Sequence, residues 1–241
     1  MLQSNQDFAA VQNYGYAADL ELRVRYFYKE FDDEYVNISY RHDISFPKRG
    51  ARMRFHAEKR GIRVLGIAES FKKTSVCSTL AGIVMRRDLI IDGMEFGNVT
   101  IGGNDSTKNI LSMYRSLQRN DINCIMLDGL IISMYNIIDG EELRERTKVP
   151  VIAVTFKDSE GLEGTIQHRF SNDFKLKLDQ YHKLGRRDRI LLKTGKLLFV
   201  RYWGISSKEA FTVVNCFTIQ GSVPEPIRIA KLAARARVRS I

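Results

Sequence analysis

The pattern of hydrophobic and polar positions changes near Arg60, and the chain after it carries the clearer signals. Short apolar runs bounded by glycine, proline or polar residues predict strands. These runs cover residues 62–67, 79–85, 90–101, 125–127, 150–156 and 196–203. Apolar residues at helical spacing predict helices over residues 110–117, 141–146, 160–170, 174–184 and 206–217, and a further helix after Pro226.

The order of these elements predicts the fold. Up to Phe156 the chain forms three strands, a helix, a strand, a helix and a strand. A meander followed by such crossovers gives an α/β domain with a mixed five-stranded sheet and flanking helices, which is the ribonuclease H-like arrangement. A doubly wound nucleotide-binding fold is the alternative, but no GxGxxG follows the first strand and no GxxxxGK[ST] occurs anywhere. The residues after Phe156 are predicted to form a mainly helical C-terminal part.

The first 52 residues differ from the rest in composition. They mix aromatic and acidic residues, and residues 47–50, Pro-Lys-Arg-Gly, are typical of a linker. We therefore divide the chain into an N-terminal extension without an assigned role, residues 1–52, and a ribonuclease H-like domain, residues 53–241.

The charge balance indicates a class of partner. The chain has a net charge of +10, with 38 Lys and Arg against 28 Asp and Glu. A basic surface attracts polyanions, so nucleic acid is a reasonable partner, although solvated lysines alone also produce such a balance. The three cysteines are scattered and form no metal-ligand or disulfide pattern. With no apolar signal core and no membrane-length apolar run, we expect a cytoplasmic protein without membrane contact. The oligomeric state is left open.

Three acids are the candidates for chemistry. Glu69 and Asp128 follow the first and fourth predicted strands, and Asp105 lies where the third strand leads into a helix. If these strand ends meet at one sheet edge, the carboxylates converge and could hold Mg²⁺ or Mn²⁺ for phosphodiester cleavage. Each acid also has a purely structural interpretation. Glu69 could be an ordinary strand-end acid, Asp105 a helix N-cap and Asp128 a turn residue.

Several segments resemble, in order, the endonuclease-dU family, which is known mainly from archaea and is distantly similar to endonuclease V. These segments are Gly66-Ile67-Ala68-Glu69-Ser70-Phe71, Gly102-Gly103-Asn104-Asp105-Ser106-Thr107, Met126-Leu127-Asp128-Gly129, Asn136-Ile137-Ile138-Asp139 and the stretch from Gly221 to Ala230. Endonuclease V is a ribonuclease H-like enzyme that nicks strands near deaminated bases. The resemblance therefore implies a DNA-repair endonuclease that uses Mg²⁺ or Mn²⁺ at Glu69, Asp105 and Asp128, with DNA favoured over RNA.

The chain departs from the family's pattern at two positions. Many members have two adjacent aspartates after the first strand, whereas this chain has Ala68 and Glu69. Endonuclease V has a histidine shortly after its Asp-Gly, whereas Leu130 follows Gly129 here. These departures leave a second hypothesis open, that of a nucleic-acid-binding protein on the same fold that does not cleave. A small-molecule enzyme ranks last, because no cofactor fingerprint or Ser-His-Asp pattern is present.

Nucleic-acid contacts are predicted at two places. Phe71, Gly102 and Gly103 lie beside the candidate carboxylates in sequence, where small residues admit a base and an aromatic ring can stack on it. The basic residues of the C-terminal helix recur at three- and four-residue steps and share one face: Arg228, Lys231, Arg235 and Arg239. Such a face can hold phosphates. The structural alternatives are turn glycines, a core aromatic ring and a solvated helix face.

Overall fold

The computed structural model describes residues 59–158, 161–170 and 174–240 of the 241-residue chain. The predicted N-terminal extension, residues 1–52, lies outside the described residues. Among the described residues, every helix is too short or too polar to span a bilayer.

Nine strands are present in the described part of the chain. They are β1 (Arg63–Ser70), β2 (Cys77–Arg86), β3 (Ile91–Thr100), β4 (Cys124–Asp128), β5 (Ile131–Ile132), β6 (Asn136–Ile137), β7 (Val151–Thr155), β8 (Asp188–Leu191) and β9 (Leu197–Trp203). The same part contains six helices. They are α1 (Ser106–Ser116), α2 (Gly140–Thr147), α3 (Glu163–Arg169), α4 (Phe174–Lys183), α5 (Ser207–Cys216) and α6 (Glu225–Ser240).

The main sheet has seven strands in the order β3-β2-β1-β4-β7-β9-β8. Strands β1, β2 and β3 form the antiparallel meander, and β4 and β7 add in parallel to β1 and to β4 respectively. These five strands are the predicted sheet. Strands β9 and β8 extend it with antiparallel pairs, so the C-terminal part is less purely helical than expected. Strand β5 pairs separately with β6.

Helices cover both faces of the sheet, and side chains that alternate along each strand supply two hydrophobic cores. Val64 of β1 and Met126 of β4 point to one face, where they pack with residues of α5 and α6. Leu65 and Leu127 point to the other face, where they pack with residues of α1 and α2. We call these the α6 face and the α1 face.

Local sequence signals define several helix ends. Ser206 caps α5 and forms a capping box with Glu209, as its sequence position predicted. Asp139 caps α2 by accepting a hydrogen bond from the backbone N–H of Glu142 at 2.9 Å. Helix α6 lies unusually close to β1, because a Cβ atom added to Gly66 would be 2.4 Å from Cβ of Pro226. This close approach fixes α6 on the sheet and therefore fixes the side chains that α6 presents to the strand ends.

Candidate functional site

Asp128, the last residue of β4, meets a basic side chain of α6. Its Oδ2 atom lies 2.9 Å from Nζ of Lys231, and the Lys231 ammonium is also 5.0 Å from the ring centre of Phe156. The Asp128 side chain is 19% exposed. Burial raises the pKa of Asp128 above its usual range, while attraction by Lys231 and Arg235 opposes that rise. Asp128 is thus half of an ion pair at the edge of the sheet.

Glu69, near the end of β1, is held by uncharged donors. Its Oε1 atom accepts a hydrogen bond from the backbone N–H of Ser133 at 2.7 Å. Its Oε2 atom accepts hydrogen bonds from the hydroxyls of Ser78, at 2.6 Å, and of Ser133. Both serines are fully buried. The carboxylate therefore joins β1, β2 and the segment after β5.

Glu69 and Asp128 lie at the same sheet edge, as predicted, but belong to opposite faces. Ile67 pairs with Leu127 across the parallel β1–β4 ladder, and both point to the α1 face. The next residue of each strand points the other way, which directs Ala68 and Asp128 to the α6 face. Glu69, one residue further, returns to the α1 face. The neighbour of Asp128 on its own face is thus an alanine.

Asp105 precedes α1, and several neutral donors hold its carboxylate. It accepts hydrogen bonds from the backbone N–H and hydroxyl of Thr100, at 3.1 and 2.9 Å, and from the side-chain amides of Asn109 and Asn136, at 3.1 and 2.6 Å. Burial opposes its ionisation, but the hydrogen bonds from Asn136 and Thr100 outweigh burial and hold the pKa of Asp105 below its usual range. The side chain does not cap α1 in the way the sequence suggested.

The segment that contacts both Glu69 and Asp105 has an unusual backbone. Three consecutive residues, Ser133, Met134 and Tyr135, have φ angles of +43°, +58° and +72°. Residues other than glycine seldom adopt this left-handed region, so surrounding contacts must hold it there. Ser133 is hydrogen bonded to Glu69, and Asn136 donates to Thr100 O at 2.9 Å as well as to Asp105. We call residues 133–136 the strained loop.

A buried lysine completes the support of the strained loop. Lys177 of α4 is 1% exposed, and its ammonium donates hydrogen bonds of 2.9 Å each to Gly103 O, Asn104 Oδ1 and Tyr135 O. The same ammonium lies 4.8 Å from the ring centre of Phe170. Lys177 therefore connects the turn before α1 to the strained loop. Lys177 was not among the residues predicted from the sequence, although Phe174, Lys177 and Tyr181 have the spacing of one helix face.

A divalent ion such as Mg²⁺ or Mn²⁺ needs several free oxygen ligands at one place. In the part of the chain that the structure describes, no group of three or more His, Cys, Asp and Glu side chains could hold a metal ion. The oxygens of Glu69 and Asp105 already accept protein hydrogen bonds, and Asp128 already faces a cation. In this arrangement Glu69, Asp105 and Asp128 therefore do not fit a three-carboxylate metal centre.

The residues predicted to admit a base occupy turns and a strand end. Gly102 has a φ of +71° and donates its N–H to Ser133 O at 2.7 Å, so the glycine serves the backbone there. A Cβ atom added to Gly103 would lie 2.7 Å from Cβ of Thr100. Phe71 follows β1 and is half-buried. A turn role thus accounts for both glycines, and base contact by these three residues stays a prediction.

The basic residues of α6 do not behave as one solvent-facing stripe. Arg228 is hydrogen bonded to the carboxylate of Glu225, which is 4% exposed, through Nε at 2.8 Å. Lys231 forms an ion pair with Asp128. Arg235 is exposed, and its positive charge acts to lower the pKa of Asp128. Arg237 lies over the ring of Phe96, 4.6 Å from its centre. The basic character of the helix is present, but its side chains have separate partners.

A small cavity opens at the edge where β1 and β4 end. It encloses about 190 Å³ of empty space, counting its open mouth, and Ala68, Glu69, Asp128 and Gly129 are among the residues that line it. The cavity therefore places the carboxylates of Glu69 and Asp128 beside one open space at the strand ends.

The chain is similar in sequence and structure to known proteins. A family model described as Endonuclease dU matches residues 60–238. A UPF0215 protein from Pyrobaculum calidifontis is 36% identical over 170 residues, covering 70% of this chain and 93% of that protein. A crystal structure of a protein from Archaeoglobus fulgidus is 27% identical with a TM-score of 0.64, covering 73% of this chain and 98% of that one.

A more distant likeness concerns the fold. Endonuclease V from Ciona intestinalis superposes with a TM-score of 0.51 at 15% identity, covering 75% of this chain and 87% of that one. This likeness confirms the ribonuclease H-like fold that the order of elements predicted. The family model spans nearly all the described residues, so the chain belongs to the endonuclease dU family.

Proposed function

We propose that this protein binds nucleic acid that contains deaminated bases, DNA in preference to RNA, and does so without cutting it. One observation carries the proposal: the three carboxylates that would form the cutting site are all engaged by protein partners. Glu69 is held by serines, Asp105 by Thr100 and two asparagines, and Asp128 by Lys231. Hydrolysis at a metal centre would require these contacts to be exchanged for metal ligands.

Two further observations support the choice of ligand. The chain has a net charge of +10, and binding to phosphates releases condensed counterions, which favours association with a basic protein. The Ciona endonuclease V was solved in complex with a DNA that contains inosine, the nucleoside of a deaminated base. Family membership and the shared fold bring that substrate class to this chain as a proposal.

A divalent-metal endonuclease of the DNA-repair type is the second candidate. A specific observation favours it, because Glu69 and Asp128 line the same cavity at the sheet edge. In that case Glu69, Asp105 and Asp128 would hold Mg²⁺ or Mn²⁺, which would supply an activated water and stabilise the leaving oxygen. The side chains would first have to leave the partners described above.

One experiment separates the two candidates. The full chain is mixed with labelled single- and double-stranded oligonucleotides that contain uracil, hypoxanthine or neither, in EDTA, Mg²⁺ or Mn²⁺. Binding is measured by fluorescence anisotropy and nicking by denaturing gel. We expect tighter binding to the deaminated strands than to the unmodified one, equal binding with and without metal, weaker binding as salt rises, and no nick.

Two results would contradict the proposal. A metal-dependent nick that Asp128→Asn abolishes in folded protein, while the exposed control Asp179→Asn retains it, would establish the endonuclease. Equal affinity for deaminated and unmodified strands would remove deaminated bases from the proposal.

A further inference from the structure

A positively charged side chain of α6, Lys231, lies at the end of β4. The Lys231 ammonium is held between the Asp128 carboxylate, at 2.9 Å, and the Phe156 ring, at 5.0 Å. A carboxylate on one side and an aromatic face on the other both attract a cation. The Lys231 side chain nevertheless remains 29% exposed to solvent.

The backbone of α6 fixes this ammonium in place. Ile227, Ala230 and Ala234 are fully buried against the sheet, and Pro226 is in close contact with Gly66 of β1. Lys231 follows Ala230 directly, so its Cα cannot move from the sheet edge without opening this packing. The position of Lys231 is therefore a property of the fold.

The position of β1 that lies beside Asp128 on the same face does not supply a second carboxylate ligand. Ala68, the residue beside Asp128 on the α6 face, is 3% exposed and has no oxygen atom in its side chain. Glu69 lies on the α1 face and accepts hydrogen bonds from Ser78 and Ser133. Divalent Mg²⁺ and Mn²⁺ bind through several oxygen ligands, whereas one ammonium neutralises one carboxylate.

We propose that Lys231 takes the place of a divalent cation at this edge of the sheet and binds a phosphodiester group of the nucleic acid directly. Arg235, one turn further along α6, adds positive charge near the same carboxylate. The exclusion of metal rests on the geometry around Asp128 alone, whereas the phosphodiester contact rests on the proposed function. The protein thus binds its ligand equally well when metal ions are chelated.

Titration with Mn²⁺ alone tests the exclusion of metal. The wild type, Lys231→Met, Ala68→Asp and the double variant Ala68→Asp/Lys231→Met are compared by isothermal titration calorimetry, after circular dichroism shows that each is folded. We expect no saturable Mn²⁺ binding by the wild type and one site in the double variant. Saturable binding by the wild type that Asp128→Asn removes would overturn the proposal, as would a folded double variant that binds no Mn²⁺.

A second comparison covers the case in which the buried position of Ala68 cannot accommodate an aspartate and the double variant does not fold. Anisotropy in EDTA is measured for Lys231→Met and for Lys108→Met, which removes the same charge from an exposed position on α1, the helix on the other face. Loss of one charge-assisted contact is expected to weaken binding by about 10-fold and to lower the salt dependence by about one phosphate. Lys108→Met is expected to change affinity by less than about twofold. Equal effects of the two substitutions would overturn the phosphodiester contact.

The two tests fail separately. If neither the wild type nor any variant binds an oligonucleotide, the proposed function is wrong, whereas the Mn²⁺ titration still decides whether Lys231 replaces a metal. If Mn²⁺ binds the wild type and oligonucleotide binding persists in EDTA, the proposed function stands and the role of Lys231 is wrong.

Discussion

The two faces of the sheet treat their carboxylates differently at the same edge. On the α6 face, Asp128 meets the Lys231 ammonium, and both side chains are partly buried. On the α1 face, Glu69 and Asp105 meet hydroxyl, amide and backbone donors that carry no charge. The carboxyl ends of parallel strands bring acids to one edge, but the strand pleat decides which partners each acid finds. The difference separates a carboxylate that is paired with a cation from carboxylates that are held by neutral donors.

The two lysines that contact these carboxylates or their supporting segments differ in burial. Lys231 is partly exposed and pairs with a carboxylate, whereas Lys177 is buried and directs its ammonium at three oxygens of the chain. Removal of Lys231 should therefore alter binding, and removal of Lys177 should alter stability.

Lys177→Met should lower the free energy of unfolding by about 3 kcal/mol, because the buried Tyr135 carbonyl loses its donor together with the more exposed oxygens of Gly103 and Asn104. The measurement is guanidinium chloride denaturation, with Lys175→Met as a control that removes an exposed lysine from the same helix. If the two variants were equally stable, the contacts of Lys177 with Gly103, Asn104 and Tyr135 would not support the strained loop.

Glu69→Gln should lower the free energy of unfolding by about 2 kcal/mol. The hydrogen bonds from Ser78 and Ser133 would lose their charged acceptor, and the NH₂ group of the new glutamine would face hydrogen-bond donors. The exposed residue Glu145 supplies the matched control, Glu145→Gln. The Glu69→Gln variant should bind oligonucleotides as the wild type does. A loss of binding at unchanged stability would assign Glu69 to the ligand site instead.

Asp105 should make stability depend on pH in the acid range. Its pKa is below the usual value, so its contribution is fully present above the unfolded-state pKa of about 3.9 and is lost as pH falls through the lower folded-state pKa. The difference in unfolding free energy between wild type and Asp105→Asn should therefore be largest at neutral pH and shrink below about pH 4. A difference that stayed constant into acid would contradict the assignment.

Asp128 should make stability depend on pH in the opposite direction. Burial raises its pKa, so the folded protein holds this proton more tightly than the unfolded chain does. Its contribution should favour the folded state at acid pH and decline as pH rises from about 4 through the raised folded-state pKa. Denaturation curves of Asp128→Asn across this interval provide the measurement.

Asp139→Ala should have the smallest effect, a loss of about 1 kcal/mol, because the variant removes one helix N-cap and no contact to the strained loop. Oligonucleotide affinity should be unchanged. A larger loss of stability than that of Glu69→Gln would show that the α2 cap stabilises the α1 face more than the hydrogen bonds of Glu69 do.

The framework of the fold follows from short-range sequence signals. Apolar runs and the order of elements predicted the five central strands, and Ser206 indicated the start of α5. Strand β8 was missed because Asp188 and Arg189 interrupt its apolar pattern, and it becomes a strand by pairing with β9. Pairing partners that lie outside a local window leave no periodic signal.

The contacts of the candidate site were harder to predict. The sequence indicated that Glu69 and Asp128 share an edge, but a one-residue shift along a strand reverses the face of a side chain. The partner of Asp128 is Lys231 on a distant helix, whose long side chain reaches the strand end only after α6 has packed on the sheet. Helical spacing predicted the basic residues of α6 but not the separate partners that each one finds.

The close packing of α6 on β1 also has a consequence for how the protein is made. Ribosomes produce Asp128 and the central strands well before Lys231, so the apolar residues that α6 buries stay uncovered until α6 has been made. During that interval an apolar surface and a carboxylate without its lysine are open to chaperones and to other nascent chains. Covering the core and completing the charged site are therefore one event in the biosynthesis of this chain.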